Sequence, residues 1–240
     1  MELLRFGLSV FLSVLIAAPA RALSVVPPPD INYTDLHKAA AECDLDQGRA
    51  AIDALSTATH YEEINRLDRE GATPLAYAAK SGCIGIVKPL IEAGAALDAT
   101  DDYARWTPLL HAANQHHAEV VQFLLAHGAN VNARAGLGQT PLTEAILGSY
   151  FNHGTKGNRD ATVQVLLLSG ADVNLQGQSR WSPLMTAVFM RDANLVRLLI
   201  SKGADLSATD TKGKTALNYA EERDEQEIVD ILKDTRPTTR

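Results

Sequence analysis

The sequence predicts an all-α solenoid of about five to six helix-turn-helix units, joined by short hairpin turns and capped by its first and last units. Three observations carry this. Thr-Pro-Leu or a near variant recurs at Thr73, Thr107, Thr140, Ser182 and Thr215, in steps of 34, 33, 42 and 33 residues. Gly-Ala recurs at Gly94, Gly128, Gly170 and Gly203, locked to the same phase. Between these markers each unit carries two apolar stretches at helical spacing, as in Trp106–Ala133. There Thr107 is placed to cap the first helix, and Pro108 sits in its first turn, where a missing N–H costs little. Ala112 and Ala113 admit a close neighbour, Val120 to Leu125 supply a second apolar helix, and Gly128 ends it in a left-handed conformation. One unit is too small to bury its own apolar face, so it needs stacked copies of itself.

A period near 33 with T-P-L at the start of each unit resembles the ankyrin repeat. The resemblance covers residues 32–234, and the histidine that follows T-P-L in that family is missing throughout. Ala76, Leu110, Thr143, Met185 and Asn218 stand in its place.

Met1–Ala22 reads as a secretory signal peptide: Arg5 in a short n-region, an apolar run from Phe6 to about Ala18, and Ala20-Arg21-Ala22 as a small-x-small cleavage site. The run of about 13 residues falls short of the roughly 17–25 needed to span a bilayer. Cleavage after Ala22 is expected, with no membrane insertion afterwards, placing the product in the periplasm or outside the cell. Residues 23–31 form a Pro-rich linker stiffened by Pro27-Pro28-Pro29. The repeat domain follows over 32–234, and 235–240 is a tail.

The first unit is divergent and puts Cys43 where the second has Gly82. In the second, Pro89 is expected to kink the outer helix or mark its late start. The fourth unit, with its step of 42, is nine residues longer than its siblings. The extra material lies at 148–159, between its inner and outer helices, with Gly154, Gly157 and Asn158 reading as loop. Solenoid insertions map to surface loops, often on a binding face; a tolerated flexible loop is the alternative, since lengthening a loop costs little, and Tyr150 and Phe151, as candidate aromatic anchors, favour binding. The last unit carries Glu221 to Glu227, a charged run suited to a face without a neighbour. Asp68, Asp102 and Asp210 share one phase, five residues before the Thr, and are expected to order the hairpin turns by bonding to backbone.

The chain is acidic, with a net charge of −7. Losing Glu2, Arg5 and Arg21 with the leader leaves −8, which argues against nucleic acid and anionic membranes as partners. No phosphate loop, nucleophile elbow or H-E-x-x-H appears. His111, His116, His117 and His127 fall in one unit, but its opposite ends separate them, whereas a metal needs ligands converging at roughly 2 Å. No catalytic residue, metal or cofactor is read here.

The resemblance implies a protein-interaction scaffold, acting as a monomer, whose ligands lie along the inner helices and hairpin tips. The side chains expected there are Tyr77, Lys80, His111, Asn114, Gln115, Glu144, Thr186, Phe189 and Tyr219, with Arg105, Trp106, Arg180 and Trp181 nearer the tips. Trp106 and Trp181 each follow an arginine at a phase held elsewhere by Gly71, Gly138 and Gly213. Packing across hairpins and a partner-binding Arg–Trp surface are both open. A partner in the cell envelope is the leading reading; an effector acting on host proteins and a metal-dependent enzyme on the histidines are the alternatives. An even cysteine count in an exported chain favours a Cys43–Cys83 disulfide over the alternative of two small buried thiols that fill space. Neighbouring layers stack about 10 Å apart, beyond the roughly 7 Å limit for a bridge. The resemblance, however, turns the residue after the turn glycine toward the adjoining turn. Closing a loop of about 40 residues is worth about 3–4 kcal/mol in the chain-entropy model.

Overall fold

The computed structural model describes residues 34–55, 60–151 and 157–234, with the side chains of His60 and of residues 149–151 excepted. The leader, the linker, residues 152–156 of the insertion and the tail at 235–240 lie outside them. Among the described residues there are thirteen α-helices and no strand. Twelve form six pairs: α1 (Asp35–Glu42) with α2 (Leu45–Asp53), α4 (Pro74–Ser81) with α5 (Ile84–Glu92), α6 (Pro108–Asn114) with α7 (Ala118–Ala126), α8 (Pro141–Phe151) with α9 (Arg159–Leu168), α10 (Pro183–Phe189) with α11 (Ala193–Ser201), and α12 (Ala216–Glu222) with α13 (Gln226–Asp234). A single turn, α3 (His60–Ile64), lies between the first two pairs. No helix among the described residues is long and apolar enough to cross a membrane.

Each pair begins as its sequence dictates. The side chains of Thr34, Thr73, Thr107, Thr140, Ser182 and Thr215 accept from the backbone N–H three residues on, each cap worth about 1 kcal/mol. The first helix of every pair packs against the first helix of the next, forming an inner layer. Alanines make that approach possible: Ala39, Ala78, Ala79, Ala112, Ala113, Ala145, Ala187 and Ala220 have no exposed surface. Leu90, Leu124, Leu166 and Leu199 of the outer helices close the core beneath. Gly94, Gly128, Gly170 and Gly203 end the outer helices at φ 87–97°, where a Cβ would be strained.

Four expectations are corrected. The family histidine is present once, in the first unit, whose Thr34-Asp35-Leu36-His37 carries Asp in place of Pro. His37 Nδ1 and the Thr34 hydroxyl lie 2.9 Å apart, and its Nε2 lies 3.0 Å from the Arg66 carbonyl and 3.2 Å from that of Ala72. It thereby ties the fully buried imidazole to the next hairpin. Pro89 does not delay α5, which runs through it from Ile84. The hairpin carboxylate of the third unit is Asp101, not Asp102, because that 34-residue unit carries one extra residue in its turn. The insertion does not begin as loop, since residues 148–151 continue α8.

Cys43 and Cys83 are bridged, with Cα atoms 5.3 Å apart. Cys43 ends α1 at φ 58° in the left-handed place that Gly82 holds at φ 76°. Cys83 is the N-cap of α5, so the layers approach at their turns more closely than their axes do. The same turn edge is tied at every later joint by different chemistry. His117 Nε2 lies 3.2 Å from the Lys80 carbonyl, and Asn158 N–H donates to His116 O at 3.0 Å. Arg159 pairs with Asp192, and Arg191 Nε with Glu225 at 2.7 Å. Much of the charged run of the last unit is paired in this way, Glu221 with Lys233 and Glu222 with Lys214.

Candidate functional site

The hairpins and inner helices share one rule. Asp68 Oδ1 accepts from the N–H groups of Glu70 and Ala72 at 2.9 Å, while its Oδ2 accepts from the Tyr77 hydroxyl at 2.6 Å. Asp101 does the same with Ala104 and Trp106 N–H, and its Oδ2 lies 3.0 Å from His111 Nε2. Asp210 repeats it with Lys212 and Lys214 N–H, and with the Tyr219 hydroxyl at 2.6 Å. The residue four beyond the cap Thr is therefore held upright against its hairpin. Burial pushes the Asp101 carboxyl up, but the His111 bond and the two backbone donors outweigh it and hold it below the usual carboxylate range. Asp210 behaves likewise, with Tyr219 and the two lysine N–H groups overcoming burial. Burial and the bond to Asp210 together push the Tyr219 phenol above its ordinary value.

The fourth and fifth units lack that aspartate; Ala135 and Gly177 stand there. The side chains four beyond their caps turn inward instead. Glu144 is buried and accepts from Asn114 Nδ2 at 2.9 Å; burial pushes its carboxyl up to about 7, and the Asn114 bond offsets little of it. Thr186 is buried and donates to the Ser182 carbonyl at 3.0 Å.

Four residues expected on the binding face, Glu144 and Thr186 among them, are thus beneath it. Besides these, Trp181 and Phe189 are 9% and 8% exposed. Trp181 packs on Phe189 and on Tyr219, with centroids 5.9 and 5.0 Å apart, and Arg223 covers the Phe189 ring at 4.6 Å. Trp106 is half-buried against Leu110, Ala133 and Ala135, and tilts over His111 at 5.2 Å. The tryptophans brace hairpins against helices, which is the packing alternative. Gln115 is half-buried and donates to Asn114 Oδ1 at 2.9 Å. Tyr150 and Phe151 belong to α8, but their side chains lie outside the described ones.

Tyr77, Lys80 and His111 come together. With Glu70, Asp101 and Tyr103 they line a cleft of about 120 Å³ between the second and third units. Tyr103 is 58% exposed at its mouth. Sequence reading missed Tyr103; its signal is an aromatic in the one hairpin lengthened by a residue. Arg105 and Arg180 are exposed at the tips, with φ of 55° and 59°.

The insertion is clamped to the third unit by two close approaches. A Cβ on Gly148 would lie 2.0 Å from the Asn114 carbonyl oxygen, and one on Gly157 equally near that of His116. Asn158 then caps α9 by accepting from Ala161 N–H. The histidines of the third unit all engage separate groups: Asp101, Ala145 O, Lys80 O and Phe123 O. Among the described residues no three His, Cys, Asp or Glu side chains group to hold a metal.

The ankyrin repeat family model (three copies) matches residues 20–134, 94–154 and 152–239. The ankyrin repeat and KH domain-containing protein mask-1 of Caenorhabditis elegans is 34% identical over 193 residues, 79% of this chain and 7% of that protein. The B-cell lymphoma 3 protein homolog of Mus musculus is 36% identical over 136 residues, 56% of this chain and 28% of that protein. The chain thus spans a small part of these two relatives. The putative ankyrin repeat protein YahD of Escherichia coli K12 is 28% identical over 175 residues, 71% of this chain and 83% of that protein. Among solved structures, the ankyrin repeat protein EF0377 superposes with a TM-score of 0.72 at 28% identity, covering 84% of this chain and 98% of its own.

Proposed function

The chain belongs to the ankyrin repeat family, whose repeats are generally protein–protein interaction modules and typically non-enzymatic, and we propose that it is an exported, monomeric scaffold that binds a protein partner across the inner helices and hairpin tips of its second and third units. One observation carries this: the cleft at Tyr77, Lys80, Tyr103 and His111, where polar and aromatic side chains stand open on a fixed lattice. Tyr77 and His111 are already held by Asp68 and Asp101, so little side-chain entropy is lost when a partner meets them. No ion pair engages Lys80 among the described residues. Tyr103 offers a large exposed ring of the kind that anchors interfaces. The Cys43–Cys83 bridge and the leader-like first 22 residues support an oxidising compartment outside the cytoplasm.

The test is photo-crosslinking in the native envelope. A crosslinker replacing Tyr103 should trap a protein adduct. The same group at Leu168, still more open on the outer helix α9 at 79% exposure, should not. Equal trapping at both, or none at 103 in an envelope that contains the folded protein, would sink the proposed surface. Cell fractionation with mass determination of the mature N-terminus tests export, which requires the chain to begin at Leu23.

A further inference from the structure

Arg105 and Arg180 occupy left-handed backbone, φ 55° and 59°, at a phase where Gly71, Gly138 and Gly213 stand in the other hairpins. A side chain is disfavoured there relative to glycine. Such a residue ordinarily persists because an internal contact repays the strain. Arg105 makes no hydrogen bond or ion pair among the described residues; its stem lies across the next tip, with Cδ 3.8 Å from where a Gly136 Cβ would be. Arg180 has one long bond, Nε to Gln176 Oε1 at 3.4 Å. Between them Arg134 donates from Nη2 to the Gln176 carbonyl at 2.8 Å, and no carboxylate meets it. Three consecutive tips therefore present guanidiniums without counter-ions on a chain whose net charge is −7. Tyr103 and Leu137, 58% and 36% exposed, sit among them.

Resting on the protein-binding reading above, we infer that the tips of the third to fifth units bind an extended acidic segment of the protein partner, with Arg105, Arg134 and Arg180 receiving its carboxylates. Repeats stack about 10 Å apart, the span of about three residues of extended chain at roughly 3.3 Å each. A carboxylate at every third position therefore meets successive arginines. The planar guanidinium fork suits a carboxylate in two-point contact. Tyr103 and Leu137 give an apolar side chain between acidic ones a place to rest. The exposed Asp102 beside them and the negative charge of the whole chain disfavour dense polyanions such as nucleic acid.

The experiment uses the full chain and a double Arg105→Gly, Arg180→Gly variant, each titrated with fluorescein-labelled octaglutamate, octalysine and a heparin fragment. Wild type should bind octaglutamate, more weakly as salt rises, and not octalysine. The variant should bind it at least about tenfold more weakly while melting at the same temperature or higher, because glycine relieves the left-handed strain. Unchanged binding by the variant overturns the inference, as does a melting temperature lowered in step with lost binding, which would make the arginines structural. Tighter binding to heparin than to octaglutamate also overturns it, in favour of a general polyanion site. A partner trapped at Tyr103 equally well by the variant would remove the acidic-segment inference and leave the scaffold reading standing.

Discussion

Replacing Glu144 by glutamine isolates a buried carboxyl that is costly to ionise. Its folded pKa is about 7, against an ordinary 4.5. Folding therefore favours the protonated acid. The contribution is fully present below about pH 4.5 and is lost as pH rises through about 7. At about 1.4 kcal/mol per pH unit, the wild-type domain should lose about 3 kcal/mol between pH 4.5 and 7.5 from this group. Glutamine keeps an Oε1 to accept from Asn114 Nδ2 but carries no charge. Glu144→Gln should thus be near neutral at pH 4.5 and more stable by about 3 kcal/mol at pH 8, about 6–12 °C in Tm for a domain of this size. His116, at the same joint, titrates in the opposite sense. Burial lowers its pKa first of all, so its folded state is neutral and its stability is lost as pH falls below about 6.5. Taking the difference between the two proteins removes that background, since His116 is common to both. The assay is denaturation followed by circular dichroism from pH 4.5 to 8.5. Parallel profiles for wild type and variant would refute the reasoning and mean that water or a cation reaches the carboxyl.

Reduction of the Cys43–Cys83 bridge, or Cys83→Ser, should release about 3 kcal/mol of loop entropy into the first unit; amide exchange over residues 34–55 should accelerate while residues 183–234 stay protected, and uniform acceleration would contradict the nearest-neighbour picture. Gly148→Ala places a Cβ 2.0 Å from the Asn114 carbonyl oxygen, a clash with backbone that should cost at least about 2 kcal/mol; a variant as stable as wild type would show that α8 does not continue past Leu147. Trp181→Ala should lower stability by about 3–5 kcal/mol while partner capture at a temperature below its melting point is unchanged, and capture lost from a folded variant would restore Trp181 as a contact.

Much of the scaffold was legible because its signals are local. A cap Thr, a proline behind it and a glycine 21 residues beyond Thr73, Thr107 and Ser182 each act within one turn of chain. The errors came where a repeat departs from its own count. Asp102 was expected in place of Asp101 because counting back from Thr107 ignores the extra residue of that hairpin. Residues 148–151 were expected between the two helices because the length excess of the unit does not say where its inner helix ends. Gly148 is helical and needed for the close approach of Asn114. His37 is hard to read from the sequence because Thr34-Asp35-Leu36 carries an aspartate at the proline place and lies in a divergent first unit outside the five recurring markers. The site was less legible than the fold. Which face a side chain presents follows from its neighbour's hairpin: Tyr77 and His111 stand outward because Asp68 and Asp101 hold them, while Glu144 turns in because Ala135 offers nothing.

That last dependence explains why the open surface sits where it does. Among the described units, the second and third combine a hairpin aspartate with a bonded Tyr or His four residues past the cap, and the second adds the exposed Lys80 further along its inner helix. The sixth has the aspartate and Tyr219, but Lys214 pairs with Glu222 and lies over the Tyr219 ring at 5.6 Å, so its polar groups satisfy one another. The fourth and fifth replace the aspartate with Ala135 and Gly177, and the inner face fills with Glu144, Thr186 and Phe189 packed inward. Under the proposed reading, stability and recognition separate along the stack: a partner on the inner face would meet polar side chains already held in place in the second and third units. In the fourth and fifth it would find the exposed guanidiniums of Arg134 and Arg180 at the tips, above a face already committed to packing.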